Sequence, residues 1–497
     1  MNRDKQLQQI KNTEHWDLLV IGGGATGLGV ALDAVSRGLQ VCLLEKYDFG
    51  KGTSSRSTKL VHGGVRYLEQ GNVSLVKEAL QEREYILSHA THLSRVQPFV
   101  VPCYSWWSYI YYYVGLRVYD ILAGRKSIGR TQLLKASTVI EKIPNIKSKG
   151  LRGGVQYMDG QFDDTRLCID LVKTIIKHGG TCVNHVGATG FIKEHGRTVG
   201  CQATDHINGD TYTIMADHVV NAAGIFTDDI VQMDAAGSRR TIVPSRGSHI
   251  VLDRSYLGGN EAIMIPKTTD GRVLFIIPWN DKVVVGTTDE KTDQPVAEPK
   301  ATDAEINFIL NNCAQYLSMK PTRADILSTY AGLRPLAAPK EGSQKTKEIS
   351  RGHKVIISAS GLVSIIGGKW TTFRKMGQDA LDKINRTYKK SYPASTSLGI
   401  TIAGKGVYST TDRLHPSLPY SEADIAHVIR NEMPMTLEDV LCRRTRCVLL
   451  DTAATKAIMH AVADMLQEHL QQSDQWKTEQ VEQLSELLFN YEVTPST

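Results

Sequence analysis

Three glycines and one glutamate near the start of the chain have the spacing of a dinucleotide-binding turn. Gly22, Gly24 and Gly27 follow the apolar run WDLLVI, and Glu45 lies 21 residues after Gly24, at the end of the next apolar run. The first glycine allows a tight turn, the second lets backbone amides approach a pyrophosphate, and the third lets a helix pack closely on a strand. Glu45 can accept hydrogen bonds from ribose hydroxyls. The pattern predicts dinucleotide binding, and a purely structural glycine turn is the alternative.

Three further segments favour non-covalently bound FAD over NAD. The loop at 52–64 (GTSSRSTKLVHGG) is dense in hydroxyls and glycines, which suits a loop around a pyrophosphate and a flavin ring. The run at 219–228 (VVNAAGIFTD) ends in small residues, and 361–376 (GLVSIIGGKWTTFRKM) places two glycines before a helix whose dipole would face the flavin O2. The predicted cofactor contacts in these segments are Thr53, Ser54, Ser55, His62, Gly63, Gly64, Ala223, Gly224, Gly368, Lys369, Thr371 and Thr372. A helix N-cap is the alternative role of the last two threonines.

These residues fall at the ends of predicted strands and helices. Residues 16–45 predict strand, turn, helix and strand, and the continuous apolar strands are typical of a parallel sheet covered on both faces. Helices are also predicted at 75–95 and in LCIDLVKTIIKHGG; strands are predicted at 181–192, 197–204, 211–220, 249–252, 273–279, 282–288 and twice within 354–368, before a closing helix.

The length of 497 residues exceeds what one hydrophobic core usually serves, so several domains are expected. The element order predicts an α/β (α+β) protein with a Rossmann-type FAD domain, a mixed-sheet substrate domain and a C-terminal helical domain. We expect the FAD domain at 1–75, 150–240 and 355–385, the substrate domain at 76–149 and 241–354, and the helical domain at 400–497.

Composition excludes several other classes. Hydrophobic residues make up 41% and charged residues 22%, as in ordinary soluble proteins, and the net charge of +6 is too dispersed to predict a nucleic-acid partner. The eight cysteines form no CxxC pair, so we expect no metal site and a reducing compartment. No run of about 18 apolar residues predicts a spanning helix, and the first twelve residues lack the apolar core of a signal peptide.

The motifs GGGATG, TSSRSTKLVHGGVRYLE, NAAG, GSHIV, PWNDKVVVGTTD, GLRPL, ISR and GGKWTTFRKM occur in this order between about residues 16 and 380. The order resembles the FAD-dependent glycerol-3-phosphate dehydrogenases, which are glycine/D-amino-acid-oxidase-like flavoproteins. A weaker helical similarity continues beyond 400. The second motif is the most specific, and the form GGKWTT is closer to the mitochondrial-type branch. One departure is the lack of a D-x-D-x-D-G loop, so the calcium regulation of animal mitochondrial enzymes is not expected.

The resemblance implies oxidation of sn-glycerol 3-phosphate to dihydroxyacetone phosphate, with hydride transfer from C2 to flavin N5 and electrons passed to ubiquinone or menaquinone. It also implies substrate-binding roles for Arg334 in GLRPL and Arg351 in ISRGH, since guanidinium groups bind phosphate through paired hydrogen bonds. Arg66 and Tyr67, directly after HGG, are assigned to substrate or flavin orientation and to pocket lining. Simple packing is the alternative for Tyr67.

Three residues are candidates for catalysis. His249, in GSHIV, could accept the C2 hydroxyl proton, and a core histidine is the alternative. Lys369 could stabilise an alkoxide or the reduced flavin anion, unless it is an exposed lysine at a helix start. The sequence leaves open whether His249, Lys369 or Arg334 is the base.

Residues 104–124 (YSWWSYIYYYVGLRVYDILAG) are the segment richest in aromatic side chains. Tyr and Trp favour the membrane headgroup boundary, and Arg125, Lys126 and Arg130 follow directly and could meet anionic lipid. A helix packed inside the substrate domain is the alternative. We expect a peripheral protein on the cytoplasmic face of a bacterial inner membrane, or otherwise on the mitochondrial inner membrane. The sequence leaves a homodimer open.

The same fold also serves other reactions. A glycerol-3-phosphate oxidase, which passes electrons to oxygen, is the nearest alternative, but the chain lacks an obvious inserted segment. An amine or amino-acid oxidase would lack the paired arginines that suit a phosphate. An RNA-modifying flavoprotein would need a clustered basic face with stacking aromatics, whereas Lys and Arg are dispersed here.

Overall fold

The computed structural model describes residues 1–65, 71–338, 352–404 and 412–493. In these residues the α-helices are α1 Arg3–Asn12, α2 Ala25–Ser36, α3 Val73–His89, α4 Trp106–Ala123, α5 Ala136–Lys142, α6 Asp164–Lys177, α7 Thr227–Asp234, α8 Asp303–Tyr316, α9 Phe373–Tyr388, α10 Glu422–Asn431, α11 Cys447–Leu450, α12 Thr452–Leu470 and α13 Asp474–Leu488. A π-helical turn, Asp439–Arg444, precedes α11.

The strands of the same residues are β1 Trp16–Ile21, β2 Val41–Leu44, β3 Leu60–Val61, β4 Ser94–Cys103, β5 Gln132–Lys135, β6 Gly153–Phe162, β7 Thr181–Val183, β8 Val186–Glu194, β9 Arg197–Asp205, β10 Thr211–Asn221, β11 Ile242–Asp253, β12 Ala262–Ile265, β13 Leu274–Trp279, β14 Lys282–Gly286, β15 Glu290–Lys291, β16 Ile326–Ala337, β17 His353–Ile357 and β18 Val363–Gly367. The predicted strands and helices are found, with bounds that differ by a few residues.

The first sheet carries the glycine turn. Within the described ranges it has eight strands, with the path β17-β18-β10-β1-β2-β7 and a hairpin of β8 and β9 joined to β10. β1 lies parallel to β2 and to β10, and both of its faces are covered. Leu18 and Val20 pack with α2, α6 and α9, whereas Leu19 and Ile21 pack with α1 and the β8–β10 layer. This alternation explains the continuous apolar run.

Helices α2 and α9 cross on this sheet at very short distance. A Cβ on Gly29 would lie 2.1 Å from the Phe373 carbonyl oxygen, and a Cβ on Gly377 would lie 2.1 Å from the Gly29 carbonyl oxygen. Only glycine leaves room for this approach. The contact fixes the start of α9, and therefore the GGKWTT segment, relative to the glycine turn.

The second sheet has ten strands in the described part of the chain, with the path β15-β11-β14-β13-β12-β4-β6-β3, and with β16 on β11 and β5 on β6. It is mostly antiparallel, and β12 and β4 form a parallel pair. Ile250 and Leu252 pack with α5 and α8, whereas Val251 packs against the C-terminal helices. These helices therefore cover the face of the sheet that also carries His249.

Strand β6 belongs to the second sheet, although the predicted FAD domain, which contains β6, is built on the first sheet. Residues 150–240 were assigned to the FAD domain, but β6 at the start of this segment pairs over its full length with β4 of the second sheet. Helix α6, which follows directly, packs in the core of the first sheet. The chain therefore passes between the two sheets near Asp163, because β6 completes the second sheet before α6 covers the first. The domain bounds as a whole stay a prediction.

Candidate active site

The glycine turn has the geometry of a phosphate-binding turn. Gly22 has a φ of +112°, and a Cβ there would lie 2.6 Å from the Ala222 carbonyl oxygen. A Cβ on Gly27 would lie 1.8 Å from the Gly22 carbonyl oxygen. Gly24 is the N-cap of α2 and has no capping side chain. The turn thus brings a helix N-terminus, which is a favourable anion site, to the carboxyl edge of β1.

Glu45 lies directly after β2, beside this turn. One carboxylate oxygen accepts a hydrogen bond from the Gly23 N–H at 2.7 Å, and the other accepts one from the Tyr47 N–H at 2.8 Å. These bonds orient the carboxylate, and each oxygen keeps a lone pair for a further donor such as a ribose hydroxyl. The position agrees with the role predicted for Glu45.

The loop after β2 connects the two sheets to the glycine turn. Ser54 Oγ accepts from the Ala25 N–H at 2.9 Å, and the Ser54 carbonyl accepts from Trp370 Nε1 at 2.7 Å. Thr53 Oγ1 donates to the Leu333 carbonyl of β16 at 2.5 Å. Thr53 and Ser54 therefore connect α2, the GGKWTT segment and the second sheet. These three parts surround one common space.

That space is a cavity of about 750 Å³. Of the predicted site residues, those that line it are Thr53, His62, Gly64, His249, Arg334, Gly368, Lys369 and Thr371. Those that lie at or beside the glycine turn are Gly22, Gly24, Gly27, Glu45, Ser54, Ala223 and Gly224. An extended dinucleotide cofactor would run from this turn to the cavity.

Some predicted residues are placed elsewhere. Ser55 Oγ bonds within its own loop, the Gly63 N–H donates to the Tyr119 hydroxyl at 2.9 Å, and Thr372 Oγ1 donates to the Lys369 carbonyl at 3.3 Å. Ser55, Gly63 and Thr372 do not line the cavity. Thr372 takes the N-cap position of α9 without a side-chain cap bond. Arg66, Tyr67 and Arg351 lie outside the described residues.

His249 is positioned by the three strands around it. It lies opposite Tyr330 of β16 and Gly286 of β14, and its ring stacks on the Tyr330 ring with centroids 4.5 Å apart and an angle of 12°. A Cβ on Gly286 would lie 2.0 Å from His249 Cδ2, so the ring needs glycine there. Nε2 lies 3.0 Å from Thr58 Oγ1. Only 2% of His249 is exposed.

Electrostatics keep this histidine neutral. Burial is the main cause that lowers its pKa well below the ordinary value, and the positive charges of Lys59 and Arg334 lower it further. Lys59 is fully buried, and its Nζ binds Asp164 Oδ2 at 2.8 Å and lies over the Tyr330 ring. Burial lowers the pKa of Lys59 as well, against the opposing charge of Asp164. A neutral imidazole at neutral pH can accept a proton.

Arg334 projects from β16 into the same cavity. Its Nη2 donates to Thr287 Oγ1 at 3.0 Å, and its Nη1 lies 3.4 Å from Asp289 Oδ1. A Cβ on Gly247 would lie 2.3 Å from Nη2, so this glycine makes room for the guanidinium. About a third of the side chain is exposed, and the residue lines the cavity, so its positive charge faces the space in which an anion would bind.

Helix α4 forms the outer wall of the cavity. One side of the helix, with Leu116 and Tyr119, packs into the protein. The opposite side exposes large apolar side chains: Trp106, Trp107, Ile110, Tyr111, Val114, Val118 and Ile121. Several of these, including Trp107 and Val114, also line the cavity. The aromatic helix is therefore largely exposed rather than packed inside the second sheet.

Sequence reasoning missed several cavity residues. Thr58 stands in the motif TSSRSTKLVHGGVRYLE, and Thr287 and Asp289 stand in GTTD, so the motifs themselves were the available signal. Asp159 of β6 also lines the cavity and binds Arg83 Nη1 at 2.9 Å. No periodicity or spacing marks it, because its partner lies on α3.

Comparison with known proteins agrees with this geometry. The profile described as "FAD dependent oxidoreductase" matches residues 17–374, and that of the "C-terminal domain of alpha-glycerophosphate oxidase" matches 381–477. The mitochondrial glycerol-3-phosphate dehydrogenase of Homo sapiens is 35% identical over 548 aligned residues, which cover 98% of this chain and 75% of the relative. The chain belongs to the FAD-dependent glycerol-3-phosphate dehydrogenase family. The Arabidopsis thaliana mitochondrial relative is 37% identical, over 91% of this chain and 83% of its own length.

A solved structure of this family supports the assignment. The glycerol-3-phosphate dehydrogenase from Bacillus halodurans complexed with FAD superposes with a TM-score of 0.77 at 28% identity, over 98% of this chain and 97% of the other. FAD is therefore the cofactor, as predicted, and the glycine turn, Glu45 and the Gly368 segment fit it. Gly368 has a φ of +96°, so only glycine is readily accommodated at this position of the cavity wall. The structure also confirms the predicted fold class.

Proposed function

We propose that this protein oxidises sn-glycerol 3-phosphate to dihydroxyacetone phosphate and passes the electrons to a membrane quinone. The observation that carries the proposal is the meeting of three groups in one cavity. A neutral buried histidine, an arginine and the GGKWTT segment all line it, next to the glycine turn that fits FAD. Membership of the glycerol-3-phosphate dehydrogenase family supports this substrate.

The substrate carries a phosphate dianion at one end and the reacting hydroxyl at C2. Arg334 presents a guanidinium to the cavity, and such a group binds phosphate through parallel charge-assisted hydrogen bonds. Arg351 and Arg66 remain proposed partners of the phosphate, from the motifs in which they stand. Binding the phosphate at one end holds C2 in one place, which converts the reaction into an intramolecular one.

Proton removal from the C2 hydroxyl is assigned to His249. A guanidinium stays protonated at every physiological pH, so Arg334 cannot be the base. Lys369, which lines the cavity beside Gly368, supplies positive charge that would stabilise the developing alkoxide. His249 then holds the proton while the C2 carbonyl forms. FAD, when bound, supplies the acceptor for the hydride that leaves C2.

The membrane part of the proposal rests on α4. Its exposed face is rich in Trp, Tyr, Ile and Val, and part of that face, from Trp107 to Val118, also lines the cavity. A lipid-soluble quinone would reach the cavity along this face. No helix among the described residues is long and apolar enough to cross a membrane. We propose peripheral attachment, on the cytoplasmic face of a bacterial inner membrane or, since the two relatives are named as mitochondrial, on the mitochondrial inner membrane. A homodimer stays an open prediction.

The test is anaerobic bleaching of the flavin absorbance band. The purified FAD-bound protein is mixed with sn-glycerol 3-phosphate, and with its enantiomer sn-glycerol 1-phosphate as a matched control. We expect rapid bleaching with the first only, and recovery of the band on adding a ubiquinone analogue. The absence of bleaching by sn-glycerol 3-phosphate from a protein that holds FAD would overturn the substrate assignment.

The same experiment separates the dehydrogenase from the oxidase. After bleaching, admission of air in place of quinone should restore the absorbance slowly. Fast recovery in air with stoichiometric peroxide would identify an oxidase that shares the first half-reaction.

A further inference from the structure

His249 is almost sealed from the cavity that it serves. Only 2% of its surface is exposed, because the Tyr330 ring covers one face and Gly286 closes against the Cδ2 edge. Thr58 lies at the remaining edge, is only partly buried and itself lines the cavity. Both residues line the cavity, and Thr58 is the more exposed of the two, so it is the more accessible to a substrate hydroxyl.

The imidazole has one polar contact in the described part of the chain. Nε2 lies 3.0 Å from Thr58 Oγ1, and Nδ1 is buried without a hydrogen-bond partner in the same residues. Thr58 is placed for this contact by its neighbours. Ser57 Oγ donates to Asp164 Oδ2 at 2.7 Å, and Lys59 Nζ binds the same carboxylate, so the residues on either side of Thr58 are fixed to α6.

We propose that Thr58 is a catalytic residue that relays the proton from the substrate C2 hydroxyl to His249. This inference rests on the proposed function and deepens it. The C2 hydroxyl donates to Thr58 Oγ1, and the Thr58 proton passes to the Nε2 lone pair of His249. One O–H bond breaks on the substrate and one forms on Thr58, while the former Thr58 proton forms the N–H bond of the imidazolium. The bound flavin would supply the acceptor for the hydride of C2, which becomes the carbonyl carbon.

The relay uses the tautomer in which Nδ1 carries the proton and Nε2 the lone pair. The charged groups that face His249 keep that lone pair available. Lys59 lies behind the Tyr330 ring with its counter-ion Asp164, and Arg334 approaches from β16, so both cations oppose protonation in the resting state. His249 accepts the proton that Thr58 delivers while the substrate oxygen loses its negative charge to the forming C2 carbonyl.

The test compares Thr58→Val with Thr58→Ser. Valine keeps the shape and removes the hydroxyl, whereas serine keeps the hydroxyl and is the matched control. In anaerobic single-turnover mixing with sn-glycerol 3-phosphate, Thr58→Val should reduce the flavin about 100-fold more slowly, which is the usual size of a lost proton-transfer step. Thr58→Ser should stay within about tenfold of the unmodified protein. Calorimetric affinity for dihydroxyacetone phosphate, FAD content and melting temperature should be unchanged in both.

Two further readouts separate a relay from a structural role. The flavin reduction rate of the unmodified protein should be flat with pH above about 6.5, where His249 is neutral, whereas the residual rate of Thr58→Val should rise with pH as solvent hydroxide takes over. The double variant Thr58→Val with His249→Gln should be no slower than His249→Gln alone, because both changes break one path.

The outcomes are distinguishable from failure of the proposed function. Bleaching of the unmodified protein together with an equally fast Thr58→Val variant would overturn the relay and leave the substrate assignment standing. Multiplicative losses in the double variant would also overturn it, since the two residues would then act independently. Absence of bleaching in the unmodified protein would overturn the function itself.

Discussion

Arg334 and Gly247 show how a single residue in the second sheet is prepared for an anion. Gly247 lies on β11 two residues after Ser245, which pairs with Arg334 on β16, and any side chain at Gly247 would occupy the space of the guanidinium. The bonds to Thr287 and Asp289 hold the guanidinium without burying it. A residue held in this way needs little reorganisation when a phosphate binds.

Replacing Arg334 by Met should therefore raise the KM for sn-glycerol 3-phosphate by about 10- to 100-fold, because a charge-assisted hydrogen bond contributes about 1.5–3 kcal/mol. Steady-state kinetics with an artificial electron acceptor measures this. The turnover of glycerol, which lacks the phosphate, should be unaffected by the change. Arg386→Met, on the exposed side of α9, is the matched control and should behave as the unmodified protein. An unchanged KM in Arg334→Met would exclude Arg334 from the phosphate site.

At this scale the sequence allows a residue to be assigned to the site where it belongs to a short motif, and the roles so assigned stay predictions. Gly22, Gly27 and Glu45 could be assigned because one local turn sets their positions. The contact of Thr58 with His249 could not, since 191 residues separate them and only the pairing of β11 with β14 and β16 determines where the imidazole lies. Such contacts depend on sheet register, which composition and spacing do not encode.

The elements could be predicted from periodicity, but not all of their surroundings. The continuous apolar run in β1 indicates a strand covered on both faces, and the apolar spacing in α2 and α9 indicates helices with a covered face. Helix α4 is apolar or aromatic on nearly every side, so its pattern gave no polar face and could not distinguish a buried helix from an exposed one. The structure shows that only the side with Leu116 and Tyr119 is buried. The same limit applies to β6, whose residues are buried on both faces wherever it pairs.

Helix α4 is the element on which membrane binding is predicted to depend. Ile121 is 72% exposed and lies outside the cavity lining, so Ile121→Ser removes apolar contact area without altering the cavity. Loss of one buried aliphatic side chain should weaken binding to vesicles of phosphatidylglycerol and phosphatidylcholine by about tenfold or more. Cosedimentation with the vesicles measures the change.

The matched control for that experiment is Phe489→Ser. Phe489 is 61% exposed and follows α13, far along the chain from α4. It should bind vesicles like the unmodified protein. Equal binding by all three proteins would remove α4 from the membrane contact, and equal loss in both variants would indicate general surface adsorption rather than one face.

On the scale of the whole molecule, the C-terminal helices are joined to the first sheet by buried ion pairs. Asp48, just after β2, accepts from Arg443 Nε at 2.5 Å and from Arg444 Nη2 at 2.9 Å, and Asp439 pairs with His185 at 2.8 Å. Breaking such a pair leaves an uncompensated buried charge, which costs several kcal/mol. The pairs therefore hold the helical region against the first sheet, while its apolar side chains pack on the second sheet. No sequence pattern indicated them, because each joins segments that are hundreds of residues apart.

Glu432, after α10, makes the most testable of these contacts. It accepts from Arg166 Nη1 at 2.5 Å and from Lys173 Nζ at 2.6 Å, both on α6, and it is almost fully buried. Burial alone would raise the pKa of Glu432, but the charges of Arg166 and Lys173 lower it to about 2. Since the folded pKa lies below the unfolded one, the contact contributes stability fully above about pH 5. That contribution, about 3 kcal/mol, is lost as the pH falls toward 2.

Glu432→Gln should therefore melt at a lower temperature than the unmodified protein at pH 7, and the difference should shrink as the pH falls from 5 toward 3. Differential scanning fluorimetry across that range measures both melting temperatures, with FAD fluorescence as a second probe of the first sheet. Glu482→Gln, on the exposed side of α13, is the matched control and should follow the unmodified protein at every pH. A gap that stays constant with pH would mean that Glu432 stabilises the fold through shape rather than charge, because only an ionised carboxylate can lose its contribution by protonation.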